Sequence, residues 1–281
     1  VVEHVATLRT RGAVIVEPEE GPLASGRSGQ GRLADEQRIL SALQAALHPR
    51  RDWTGRRVLI SAGPTQEAID PVRFISNRSS GKMGYALAES AQARGAKVLL
   101  VSGPTALIPP AGVEFCPVTT AEEMRKAVIS RLTWSDTVIM AAAVADFRPA
   151  QPAGQKLKKR QRPVTNLELE PTDDILRELG ERRTTQVLVG FAAETEDLLA
   201  HAREKLQAKG VDLLVANDVT AAGSGFGSDT NRVVLMNRDG DAEEIPLLPK
   251  REVADRILDR VLTLPTGRRS TKPAAGTGTH R

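Results

Sequence analysis

From residue 57 onward the chain alternates short apolar runs with amphipathic stretches, and nothing else in it restricts the fold as strongly. RVLISAG (57–63), KVLLVSG (97–103), DTVIMAAAV (136–144), QVLVGFAAE (186–194) and VDLLVAND (211–218) read as buried strands. GYALAESAQARG (84–95) reads as a helix closed by Gly95, and TEDLLAHAREKLQAKG (195–210) as another. Thr120 and Glu123 have capping-box spacing ahead of an apolar helix face of Met124, Ala127, Val128 and Leu132. Strands separated by helices pair in parallel through crossovers, so the expected class is α/β with a doubly wound, mostly parallel sheet.

Two regions interrupt the alternation. Residues 146–170 are basic, proline-bearing and too long for an ordinary connection. RVVLMNRDGDAEEIPL (232–247) holds two apolar runs around Asp239-Gly240, a hairpin signal. KREVADRILDRVLTL (250–264) follows as a last amphipathic helix, and the tail from Pro265 is expected to be disordered.

Residues 1–50 do not read as a complete domain. VATLRTRGAVIVEP suggests a helix end and a short strand, GPLASGRSGQGRL a glycine-rich loop, and ADEQRILSALQAAL a helix with Ile39, Leu40, Leu43 and Leu47 near helical spacing. HPRRDWTG reads as a polar linker. The start, lacking an initiator Met and a leader pattern, suggests a piece of a longer chain.

Composition narrows the function classes. No apolar run approaches the roughly 20 residues of a membrane span. A single cysteine, Cys116, excludes an internal disulfide and suits a reducing, cytoplasmic setting; between Phe115 and Pro117 it is expected to be a core thiol. The four histidines have no metal-ligand spacing. A net charge of +4 suits nucleic acid or an anionic small substrate equally, but 3% aromatic residues argue against stacking on single-stranded bases.

Ligands of open α/β sheets bind beyond the carboxyl ends of the strands, where the loops 63–83, 141–159 and 190–195 all lie. FISNRSSGKMG (74–84) resembles a phosphate loop but fails the P-loop pattern: Ser76 stands at the first glycine and Met83 follows the lysine. AGPTQE also fails the dinucleotide fingerprint. A polar loop from Asn77 to Gly84 remains, ahead of a helix N-terminus that favours an anion, with Asn77 as an uncharged donor. A solvated loop with an N-cap serine explains that stretch equally well. KLKKR (156–160) is a solvated basic loop, a nucleic-acid patch or a triphosphate clamp. Lys205 and Lys209 share a helix face; Ala141, Ala142 and Ala143 leave room for a planar ligand; Asp146 could serve a metal or a ribose hydroxyl; Phe191 and Glu194 close the next strand. Together these suggest an unconventional anion and nucleotide site without a histidine or cysteine nucleophile, suited to activating a carboxylate with a nucleotide. A nucleic-acid binder and a nicotinamide dehydrogenase are the competing readings.

In their order, SAGPTQEAIDPVRFISNRSSGKMG, MAAAVADFRP, KLKK, GFAAET and DLLVAND closely resemble bacterial phosphopantothenoylcysteine synthetase, a phosphopantothenate–cysteine ligase that in many bacteria is the C-terminal half of a bifunctional coenzyme A biosynthesis protein. The resemblance covers about residues 55–264. HVATLRTRG and GPLASGRSGQGRL resemble the end of its partner, a flavin-dependent decarboxylase, with Ser25 where many members carry a catalytic cysteine. Decarboxylase activity is therefore not expected, and FMN is expected only in the missing decarboxylase body.

The resemblance implies a Rossmann-like fold with a projecting β-hairpin dimerisation element, and domains at 1–50, 51–264 and 265–281. It implies that CTP and 4'-phosphopantothenate form an acyl cytidylate and pyrophosphate, and that cysteine then displaces CMP to give an amide. Asn77 would contact the activated acyl group and Lys156 would grip the phosphates and serve turnover; Arg73 and Lys158 would join Asn77 in holding substrate. Asp146 would contact the nucleotide and a Mg2+ (or Mn2+) ion. Further nucleotide contacts would come from Gly63, Ser79, Ser80, Gly81, Ala141, Ala142, Ala143, Thr172, Asp173, Asp174, Ile175, Phe191, Lys205 and Lys209, with TDDI (172–175) standing where the family usually reads NPDI. The expected partners are these small molecules and a second copy of the chain, not nucleic acid or membrane, and 156–162 is expected to be a mobile flap.

Overall fold

Six apolar runs, β1 (Arg57–Ala62), β2 (Lys97–Ser102), β3 (Glu114–Pro117), β4 (Thr137–Met140), β5 (Val187–Glu194) and β6 (Leu213–Asp218), pair in parallel. Crossovers carry α1 (Lys82–Ala93), α2 (Ala121–Ser130), α3 (Ile175–Arg182) and α4 (Leu198–Lys209). β7 (Thr230–Asn237) and β8 (Ala242–Pro249) then form an antiparallel hairpin, and α5 (Lys250–Leu262) follows. The eight-stranded sheet runs β8-β7-β6-β5-β4-β1-β2-β3, so its parallel part has the Rossmann order and reverses between β1 and β4. The computed structural model describes residues 2–265 apart from 12, 23–25, 27, 48–49, 159–165, 195–197, 219–223 and 226.

The central strands are apolar on both faces because helices cover both. Val58, Leu59, Ile60, Val138 and Ile139 are all 0% exposed. Leu59, Val138 and Leu188 share one cluster with Met124 and Val128 of α2 and Leu179 of α3. Each such side chain contributes roughly 1.5–3 kcal/mol on burial. The capping box forms as its spacing predicts: the Glu123 amide donates to Thr120 Oγ1 at 3.2 Å and the Thr120 amide to the Glu123 carboxylate at 3.3 Å.

Several expectations change. The run 136–144 does not stay a strand. β4 ends at Met140, because the following backbone turns its hydrogen bonds to residues 61–65. α1 begins at Lys82, two residues before the expected start, which places that lysine on the first turn. Cys116 is half-buried instead of fully buried, since β3 is an edge strand. The 232–247 hairpin turns at Asp239-Gly240, with Gly240 at φ 88°, and is hydrogen-bonded into the central sheet as its antiparallel margin.

The chain folds as two compact units, Val1–Trp53 with Ala93–Gly95, and Thr54–Gln92 with Ala96–Arg281. In the first, helix Val2–Thr10 precedes an antiparallel pair, Glu19–Pro22 with Ser28–Arg32, and a helix Glu36–Leu47 capped by Asp35. Half of the expected glycine-rich loop is thus a strand, while the apolar residues before Glu19 form none. Ile39, Leu40, Leu43 and Leu47 are exposed. The expected polar linker is pinned: Trp53 is fully buried, its amide donates to Arg94 O at 3.1 Å, and Asp52 pairs with Arg94 at 2.6 Å. Ser25, Lys159, Arg160, the rest of the expected flap beyond Lys158 and the tail beyond Pro265 lie outside the described residues. Among those residues no helix is long and apolar enough to cross a membrane.

Candidate active site

The strand order reverses between β1 and β4, and the loops that follow these two strands lie at the carboxyl edge where open α/β sheets bind ligands. The two loops are joined by their backbones. Ala143 N donates to Gly63 O at 2.9 Å and Thr65 N to Ala143 O at 3.3 Å. Ala142 N donates to Ser61 Oγ at 3.1 Å and Ala145 N to Thr65 Oγ1 at 2.9 Å. The loop after β2 also comes close: a Cβ on Gly103 would stand 1.7 Å from the Pro64 carbonyl oxygen. Gly63, at φ 71°, makes the turn that permits this packing.

Asn77 ties in a third stretch, its Nδ2 donating to Val144 O at 2.8 Å with a longer contact to Ala143 O at 3.5 Å. Ser79 Oγ accepts from Gly81 N at 3.3 Å, and Gly81 at φ 77° delivers the chain into α1. Facing residues come from β5 and the start of α3. Thr172 Oγ1 donates to Ala145 O at 2.6 Å, and Asp174 caps α3 by accepting from Arg177 N at 3.1 Å. Lys209 of α4 pairs with the same Asp174 carboxylate.

These elements enclose a cavity of about 710 Å³. Asn77, Ser79, Ser80, Gly81, Ala141, Ala142, Ala143, Asp146, Thr172, Asp173, Asp174, Ile175, Phe191, Lys205 and Lys209 line it. Gly63, Arg73, Lys156 and Lys158 do not. Gly63 lies behind the wall, supporting it. Arg73 is committed elsewhere: it pairs with Asp70 at 2.5 Å and donates to Leu157 O at 3.1 Å. Asp70 also accepts from Leu157 N at 3.1 Å, so the segment bearing Lys156 and Lys158 is anchored to this turn with both lysines exposed. The Arg73 guanidinium holds the Asp70 carboxyl far below the usual carboxylate range, and the amides of Val72, Leu157 and Arg73 add to this against the opposing effect of burial.

Residues 53–264 match the DNA/pantothenate metabolism flavoprotein C-terminal domain family. The chain belongs to this family. It is 49% identical over 275 residues to the coenzyme A biosynthesis bifunctional protein CoaBC of Bacillus subtilis, covering 96% of this chain and 68% of that protein. The Mycobacterium bovis protein of the same name is 45% identical over 281 residues, covering 95% and 67%. The crystal structure of the C-terminal domain of a CoaBC protein superposes with a TM-score of 0.63 at 47% identity, covering 74% of this chain and 94% of that one. These similarities support a role in coenzyme A biosynthesis; the chain spans about two thirds of the length of the two curated relatives.

The family match spans several cavity residues that sequence reasoning passed over. Lys82 was visible only as the lysine of a failed P-loop, and Lys250 only as the first residue of an amphipathic helix. Both line the cavity. Burial pushes the Lys250 ammonium below its ordinary pKa; Lys82 pushes the same way and Asp229 opposes them. Asn217, at the end of β6, belongs to a polar hub in which Ser224 Oγ lies 3.0 Å from Asn217 Oδ1, 2.8 Å from Asn231 Oδ1, and accepts from Arg232 N at 3.0 Å. The hub fixes the described part of the chain between β6 and β7 beside the cavity. Its members lie apart in sequence, so no local signal identifies them.

Proposed function

We propose that this chain catalyses CTP-dependent ligation of 4'-phosphopantothenate and cysteine. The observation that carries this is the convergence of Asn77, the alanines at 141–143, residues 172–175 and the α4 lysines on one cavity at the sheet's reversal point. A neutral wall of backbone groups suits a base and an acyl group, and a cationic wall suits phosphates.

In this reading the carboxylate of 4'-phosphopantothenate attacks the α-phosphorus of CTP and pyrophosphate leaves. The cysteine amine then attacks the acyl carbon and CMP leaves. The Asn77 amide nitrogen carries two N–H groups; its short bond to Val144 O, at 2.8 Å, holds the side chain in place, and its second N–H is the donor assigned to the acyl oxygen in this reading. The small side chains of Ala141, Ala142 and Ala143 leave room for the base against this wall, while Lys205 and Lys209 neutralise phosphate charge. Lys156 and Lys158 join by movement of their segment or from a second copy in a homodimer, which sedimentation analysis tests. Mg2+ binds through few protein ligands and mainly through phosphate and water oxygens. Asp146 and Asp173 on the wall fit that mode, and no group of three or more His, Cys, Asp or Glu able to hold a metal occurs among the described residues. When bound, the ion supplies neutralisation of phosphate charge.

The test is incubation with CTP, Mg2+ and phosphopantothenate without cysteine. Mass spectrometry should find an acyl cytidylate that cysteine converts to the amide. Pyrophosphate release that does not depend on phosphopantothenate would overturn the assignment.

A further inference from the structure

Lys250 is brought to Asp229 by strand register, and Lys82 reaches the same residue from α1. Thr230 at the start of β7 pairs with Pro249 at the end of β8, so the first residue of α5 lies beside Asp229, and Lys250 N donates to Asp229 O at 2.8 Å. Lys82, on the first turn of α1, reaches the same place from the other side. Its Nζ donates to Asp229 Oδ1 at 2.6 Å and to Gly227 O at 2.9 Å. Lys250 Nζ donates to the carbonyls of Ser228 and, at 3.4 Å, Gly225.

The exposures are unequal. Lys250 is 7% exposed and the Lys82 side chain 33%, whereas the Asp229 side chain is 88% exposed. Both lysines line the cavity and Asp229 does not. Both lysines therefore border the cavity, Lys250 held by two backbone carbonyls and Lys82 paired with a carboxylate that is already mostly in water. Withdrawing it costs little desolvation, while an anion entering from the cavity gains two donors of fixed position.

We propose that Lys82 and Lys250 form a phosphate subsite distinct from Lys205 and Lys209, with Asp229 as an exchangeable counter-ion that an incoming phosphate displaces. The proposal rests on the ligase reading for the identity of its ligand. The group is a phosphate dianion from one of two sources, the pyrophosphate end of the nucleotide or the phosphate ester of the acid substrate.

Calorimetric titration of the full chain with inorganic pyrophosphate, and separately with 4'-phosphopantothenate, tests this in Lys82→Gln, Lys250→Gln and Asp229→Asn. Lys82→Gln should weaken at least one of the two ligands about tenfold, and Asp229→Asn should tighten the same ligand about threefold. The ligand that responds identifies the source, and a response from both means that the subsite is shared. Cytidine and pantothenate, which carry no phosphate, should bind within about twofold of wild type. If Lys250→Gln fails to fold, Lys82→Gln and Asp229→Asn decide alone. The subsite is refuted if those two variants bind both phosphate ligands as wild type does. Absence of ligation with an intact phosphate response removes the ligase reading and leaves the subsite; normal ligation with no phosphate response does the opposite.

Discussion

Residues 141–145 and the cavity lysines are held in place by different kinds of interaction. The alanine loop is stitched to 61–65 by backbone amides and two buried hydroxyls, Ser61 and Thr65, each 0% exposed. These bonds are short-ranged, satisfy groups that cannot reach water, and need no ligand. Lys82 and Lys209 instead rest on Asp229 and Asp174, whose side chains are 88% and 38% exposed. Ion pairs so open to water contribute little to folding and change partners cheaply. The difference teaches a division of labour: the neutral wall supplies geometry, and the charged wall supplies attraction that a ligand can redirect.

The largest expected effect comes from breaking the neutral wall. A methyl group at Gly103 would collide with the Pro64 carbonyl, and backbone must move. Gly103→Ala should cost about 3 kcal/mol, or roughly 6–12 °C in Tm, measured by calorimetry. No corresponding loss is expected from Lys82→Gln. Equal melting points for Gly103→Ala and wild type would mean that the close approach contributes nothing.

Next is Asn77→Ala, which removes both the tie to Val144 and the proposed acyl contact. Amide formation from a preformed acyl cytidylate should slow by about 10²–10³. Rapid-quench analysis separates this from the first half-reaction, which should retain most of its rate. Equal slowing of both steps would make Asn77 a purely structural tie.

Asp174 tests the charged wall, because it both caps α3 and pairs with Lys209. Asp174→Ala should lose about 1 kcal/mol, while Asp174→Asn, which can still cap, should lose less than about 0.5 kcal/mol. Urea denaturation distinguishes them; equal losses would show that the pair, and not the cap, carries the stability.

The smallest effect concerns Asp70, a charge that is structural and does not face the cavity. Its folded pKa lies below its unfolded value, so its contribution is fully present above about pH 4 and is lost as the pH falls below that. Urea midpoints at pH 7 and pH 3 should therefore fall further in wild type than in Asp70→Asn. An identical acid response would remove the clamp on Leu157 from the account.

Legibility varied with the range of the interaction. The Thr120–Glu123 box was readable because both partners lie within one turn. Lys205 and Lys209 were readable as one helix face, and both reach the cavity. Apolar character misled at 136–144: small apolar residues suit a strand, but here their smallness serves a loop crowded against another loop. Arg73 and Lys158 were singled out for substrate, and Lys156 for the nucleotide phosphates, from the family resemblance. Only folding reveals that Asp70 takes the guanidinium and that Leu157 is tied to the same turn.

By itself the sequence determined the alternation of strands and helices, the parallel sheet it requires, and the polar loops at one rim, because hydrophobic period and capping act over a few residues. Which loops meet was decided by the reversal of strand order between β1 and β4. The union of Lys82, Asp229 and Lys250 was decided by two things: the β7–β8 register, which sets Asp229 beside Lys250, and the packing that brings the start of α1 to the same place. Such contacts depend on how strands cross and pair, and that is settled by burial of the whole sheet and not by the residues that finally touch.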